Sequence, residues 1–155
     1  MERDGVIKAI VVDDEPVARQ TIRLLLQNEP DVELVAECPN GTAAVDAIKK
    51  ETPDLIFLDI QMPGMNGFEV LSALSSKELP AVIFTTAYDK YALKAFEVHA
   101  LDYLLKPFDD DRFRQSLEHA KSVILGNKVE EISRQLFDLL ERYDARLPAL
   151  AERAA

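Results

Sequence analysis

Five side chains at four places in this sequence are of types that together can accept a phosphoryl group. Asp13 with Asp14, then Asp59, Thr86 and Lys106, stand at the ends of short apolar runs. The central one is Asp59, in the stretch DLIFLDIQMPGMNG from Asp54 to Gly67. Leu55 to Leu58 is wholly apolar, as suits a strand buried on both faces of a parallel sheet. It ends abruptly in a carboxylate, followed by a Met62-Pro63-Gly64 turn. Three crowded carboxylates repel one another, and a hard divalent cation such as Mg²⁺, with its preference for oxygen ligands, relieves that repulsion. A cation, an ammonium and a hydroxyl around Asp59 would neutralise and hydrogen-bond phosphoryl oxygens, leaving Asp59 as the nucleophile. Each residue also has an everyday structural reading. An Asp pair can cap a helix, Thr86 can be an N-cap, and Lys106 can be a solvated charge.

Those residues can meet only if the elements before them share one sheet. Apolar runs alternate with amphipathic stretches five times, the rhythm of repeated βα units around a parallel sheet. Strands are expected at Ile7 to Val12, Val32 to Ala36, Leu55 to Leu58, Ala81 to Thr85 and Leu101 to Leu105. The first helix starts at Pro16 and carries Ala18, Ile22, Leu25 and Leu26 at helical spacing. Asn40 reads as the N-cap of a second helix through Ala44 and Ile48, and Phe68, Leu71 and Leu74 mark a third. A fourth is expected over 89–98. A fifth starts in the acidic run Asp109 to Asp111 and buries Phe113, Leu117, Ala120 and Ile124. In a doubly wound sheet ligands bind at the carboxyl ends of the strands, which is where all five chemical residues fall.

Composition narrows the function further. The chain has 155 residues, enough for one domain with an appendage, and a formal net charge of −10 with a pI near 4.7. That is the wrong sign for neutralising nucleic-acid phosphates, so direct DNA binding by these residues is not expected. No apolar run approaches the roughly 18 residues of a membrane span, and no signal-like start is present, so a cytoplasmic location is expected. The single Cys38 has no partner for a disulfide, and His99 and His119 have no ligands at metal spacing. No GxxxxGK phosphate loop occurs, and the acids after the first strand would repel a flavin phosphate. A haloacid-dehalogenase-like phosphatase with Asp59 as nucleophile is the alternative, but that class needs a second acid where Gln61 stands.

The motifs VVDDE at the first strand, LDIQMPGMNG around Asp59, Thr86-Ala87, and DYLLKPF from Asp102 to Phe108 resemble the response-regulator receiver domain of two-component signalling. The likeness covers about residues 6 to 125 and implies a flavodoxin-like five-stranded sheet in the order 2-1-3-4-5 with five helices. It further implies that a histidine kinase phosphorylates Asp59. Mg²⁺ would be held by Asp14, Asp59 and the Gln61 backbone carbonyl, with Asp13 acting mainly through water. Lys106 would contact the phosphoryl group, the Lys106-Pro107 bond would be cis, and Thr86 and Tyr103 would be coupled switch residues. The family implies a phosphoacceptor rather than an enzyme. The stretch FTTAYDKYALKAFEVHALDYLLKPFDDDRF is similar to receivers that precede a LytTR-type DNA-binding domain, so a transcriptional output would belong to a longer parent chain.

The domain boundary is expected near residue 125, with a helical extension or linker over 126–155. Leu125, Val129, Ile132, Leu136, Leu139 and Tyr143 recur at alternating spacings of four and three, a short heptad stripe. A homodimer is expected through that helix, or through the face built by the fourth helix, fifth strand and fifth helix.

Overall fold

The computed structural model describes residues 5–91 and 100–126. Five parallel strands, β1 (Ile7–Val12), β2 (Val32–Cys38), β3 (Leu55–Asp59), β4 (Ala81–Thr86) and β5 (Asp102–Leu105), form one sheet in the order β2-β1-β3-β4-β5. Four α-helices lie among the described residues: α1 (Pro16–Leu26), α2 (Gly41–Glu51), α3 (Gly67–Ser72) and a last helix, Asp110–Leu125. Asp89–Tyr91 forms a 3₁₀ turn. The rest of the helix expected over 89–98 lies outside the described residues, as does the extension over 127–155 with its heptad stripe.

Alternation along the strands divides the core into two layers. Ile10, Val12, Ile56, Leu58, Val82 and Phe84 join the layer that α2 and α3 cover through Ile48, Phe68 and Leu71. Ala9, Val11, Leu55, Phe57, Ala81 and Ile83 point the other way, against Ile22 and Leu26 of α1 and Phe113, Leu117, Ala120 and Ile124 of the last helix. Because β3 and β4 are central and covered on both faces, every residue in them is buried, which is why each reads as an apolar run up to its carboxyl end. Phe57 stacks on Phe113 with ring centroids 5.4 Å apart and so ties the site-bearing strand to the last helix.

Helix starts follow local chemistry. The Asn40 side chain accepts from the Ala43 N–H at 2.8 Å, satisfying an otherwise orphaned donor of α2. Asn66 and Glu69 cap α3 reciprocally, at 2.8 and 2.9 Å. Asp109 accepts from the Arg112 N–H at 2.7 Å and opens the last helix.

Candidate functional site

Each acid is delivered by a strand end that its neighbours hold in place. At the end of β1 the Asp13 N–H donates to the Cys38 carbonyl at 3.0 Å, and one Asp13 carboxylate oxygen accepts the Glu15 N–H at 3.0 Å. Asp59 is the last residue of β3, and the next N–H, of Ile60, donates to Thr85 of β4 at 3.0 Å. The loop that follows turns at Gly64, whose φ of +84° suits glycine. It then returns so closely that Gly67 donates to the Ile60 carbonyl at 2.9 Å. A Cβ on Gly67 would stand 2.7 Å from the Asp59 carbonyl oxygen. Lys106 is anchored by its N–H to the Thr86 carbonyl at 2.7 Å, and the Lys106–Pro107 peptide bond is cis.

These strand ends bring Asp13, Asp14 and Asp59 into one cluster, each offering a carboxylate oxygen within 4.8 Å of the others. Asp13 and Asp59 are buried and Asp14 is exposed, so the cluster has a closed floor and an open mouth. Lys106 Nζ lies 2.7 Å from Asp13 Oδ2, 3.4 Å from Glu15 and 3.8 Å from Asp59 Oδ2. The ammonium is thus seated on Asp13 and only near Asp59. One cation among four carboxylates leaves the crevice negative. Burial, followed by the charges of Asp13 and Asp14, pushes the Asp59 carboxyl up to about 8, although Lys106 and the Gln61 N–H pull the other way. Burial would lower the Lys106 ammonium, but the Asp13 hydrogen bond and the charges of Asp59, Asp13 and Glu15 outweigh it and raise its pKa. An all-oxygen set with one side open to water fits a hard cation that keeps some of its waters, which is the demand Mg²⁺ makes.

The other residues singled out in the sequence sit around this cluster. The Gln61 N–H points to Asp59 Oδ1 at 3.4 Å, a long contact. Thr86 is buried, and its hydroxyl accepts the Tyr88 N–H at 3.0 Å; Ala87 is exposed. Tyr103 is partly buried against the core layer that holds Phe84, its partner in the β4–β5 register. Its carbonyl accepts from Arg112, whose guanidinium also forks onto Asp102 at 2.8 and 2.9 Å, so β5 and the last helix are clamped together. Two contacts lay beyond the sequence reading. Glu15 was visible beside the Asp pair, without a role as a second seat for Lys106. Arg19 donates to the Asp13 carbonyl at 2.7 Å, and in the sequence it is one of two arginines beside the apolar stripe of α1. Beside the cluster, Val17, Ala18, Thr21, Ile22, Pro107 and Phe108 help line a mainly apolar groove of about 210 Å³ between α1 and the Lys106 loop.

A doubly wound parallel sheet with carboxylates and a lysine gathered at the strand ends defines a signalling receiver rather than a nucleotide-binding or flavin-binding domain. The response regulator receiver domain family matches residues 9–118, and the chain belongs to that family. It is 49% identical over 111 residues to the transcriptional regulatory protein BtsR of Escherichia coli K12, covering 72% of this chain and 46% of that protein. To the sensory transduction protein LytT of Bacillus anthracis it is 47% identical over 116 residues, covering 74% and 47%. The chain spans about half the length of the curated relatives it matches. Among solved structures, the response regulatory domain of mrkE from Klebsiella pneumoniae superposes with a TM-score of 0.71 at 30% identity, covering 77% of this chain and 99% of that one. The receiver domain of AraT from Geobacillus stearothermophilus gives 0.72 at 32%, covering 79% and 98%. No helix among the described residues is long and apolar enough to cross a membrane.

Proposed function

We propose that this receiver takes a phosphoryl group from a histidine kinase onto Asp59 and uses it to switch an output, in the cytoplasm, that in a longer parent protein is transcription. The observation that carries the reading is the gathering of Asp13, Asp14 and Asp59 within 4.8 Å beneath the Lys106 ammonium. An Asp59 oxygen attacks the phosphorus, the bond from phosphorus to the donor breaks, and the electron pair leaves with the donor. Asp14, Asp59 and the Gln61 carbonyl, with Asp13 acting mainly through water, would hold Mg²⁺, which would supply charge neutralisation for the phosphoryl oxygens. Lys106 reaches one of those oxygens by leaving Asp13, over a difference between 2.7 and 3.8 Å. The Thr86 hydroxyl proton, held among the described residues by a 3.5 Å contact to the Tyr88 carbonyl, is available to another oxygen. Its inward turn opens room for Tyr103, so the surface around β5 changes. The apolar groove beside Lys106, rimmed by the exposed Val17, gives the kinase a place to deliver its phosphohistidine next to Asp59.

Incubation of the full chain with Mg²⁺ and a small phosphodonor, followed by mass location of the added group, tests this. One phosphoryl group on Asp59, absent from Asp59→Asn, is the expected result. Phosphorylation of that variant at another residue to the same extent would overturn the assignment.

A further inference from the structure

Arg19 lies outside the acidic cluster yet is bonded to its backbone. It stands on α1, its side chain is 19% exposed, and Nη1 donates to the Asp13 carbonyl oxygen at 2.7 Å. The other side of the same residue is fixed as well, by the Asp13 N–H on the Cys38 carbonyl at 3.0 Å. Residue 13 is therefore pinned before and after its Cα. The Arg19 bond, on the Asp13 carbonyl, sets the plane of the peptide joining Asp13 to Asp14. Asp14 is exposed, and among the described residues no hydrogen bond to its carboxylate directs it. Where its carboxylate points is thus governed by the backbone that Arg19 holds. Arg19 is in turn backed by Glu37 of β2, 3.9 Å from its Nε, and Glu37 is gripped by Arg23 at 2.9 Å.

We infer that Arg19 is a positioning residue for the cation site, holding the Asp13–Asp14 peptide so that both carboxylates face Asp59. This rests on the cation-assisted reading above. Two opposed consequences separate positioning from mere charge. As a positive charge near a cation site, Arg19 should weaken cation binding, and its removal should then tighten it. As a hydrogen-bonded support of the ligands, its removal should loosen binding by about tenfold or more, the usual range for groups that orient metal ligands from behind. The fold itself should tolerate the loss, since Glu37 keeps its closer partner Arg23.

The test is calorimetric titration of the full chain with Mg²⁺ alone, at a temperature where every variant is folded by circular dichroism. Arg19→Gln should bind Mg²⁺ about tenfold more weakly or worse than the unaltered chain. Arg19→Lys, which keeps the charge and an N–H donor on a slightly shorter arm, should restore most of the affinity. If Arg19→Gln binds equally well or more tightly, Arg19 does not position the ligands and the inference falls while the cation reading stands. The same holds if Arg19→Lys binds as weakly as Arg19→Gln with both folded. If the unaltered chain takes up no Mg²⁺, the cation reading fails and this inference with it.

Discussion

Replacing Asp59 by Asn should stabilise the metal-free protein, and by an amount that grows with pH. Burial and the carboxylates of Asp13 and Asp14 raise Asp59 to about 8 in the folded chain from an ordinary value of 3.8. Well below pH 3.8 both states carry the proton and no difference arises. As pH climbs from about 4 to about 8, the unfolded chain releases a proton that the folded chain retains, so stability drains away through that window and the full penalty applies above it. A gap of about four pH units, at about 1.36 kcal/mol each, sets a ceiling on the order of 5 kcal/mol. Asn keeps the shape without the titration. Its advantage over Asp59 should therefore be about 3 kcal/mol larger at pH 8.5 than at pH 5.5, or roughly 10 °C in Tm for a chain of this length. Comparing two proteins at two pH values cancels every other titrating group that the substitution leaves alone. Thermal unfolding followed by circular dichroism in a chelator reads the quantity. Mg²⁺ added at ten times its Kd should return about 1.4 kcal/mol to the unaltered chain at pH 8.5. An advantage equal at the two pH values would refute the claim that burial and neighbouring carboxylates govern Asp59.

Two further outcomes are expected. Gly67→Ala places a Cβ 2.7 Å from the Asp59 carbonyl and 3.1 Å from the Ile60 Cα, both backbone, so the loop must move. A loss of about 1–3 kcal/mol in denaturant unfolding, together with slower phosphorylation, should follow, and an unchanged midpoint would show that the close approach is not tight. The full chain should sediment as a dimer at tens of micromolar in the phosphorylated state while a version ending at Leu125 stays monomeric; equal monomeric mass for both, with and without phosphate, would remove the extension as a pairing device.

How far the sequence could be read follows from where each residue is buried. β3 and β4 were legible because coverage on both faces keeps them apolar up to their carboxyl ends, where Asp59, Thr85 and Thr86 stand. β2 was expected to stop at Ala36, yet its pairing with β1 runs on through Glu37 and Cys38. It is an edge strand, and an outward carboxylate that breaks the apolar run leaves the backbone ladder intact. The stripe through Leu74 suggested a longer α3 than the one ending at Ser72, since a buried side chain two residues beyond the helix keeps the same spacing. Meeting of the acids was legible for a topological reason: parallel strands wound from both sides end on one edge, so residues that follow apolar runs must be neighbours. Pairings within the cluster were not legible. Whether Lys106 sits on Asp13 or on Asp59 depends on differences of about an ångström, between 2.7 and 3.8 Å, to which residue spacing is blind. That detail bears on how the site works. Asp13 cannot give the same lone pairs to a cation's waters and to an ammonium. A cation drawn into the cluster therefore competes with Lys106 for Asp13, and the ammonium it displaces has Asp59 as its nearest remaining buried acid.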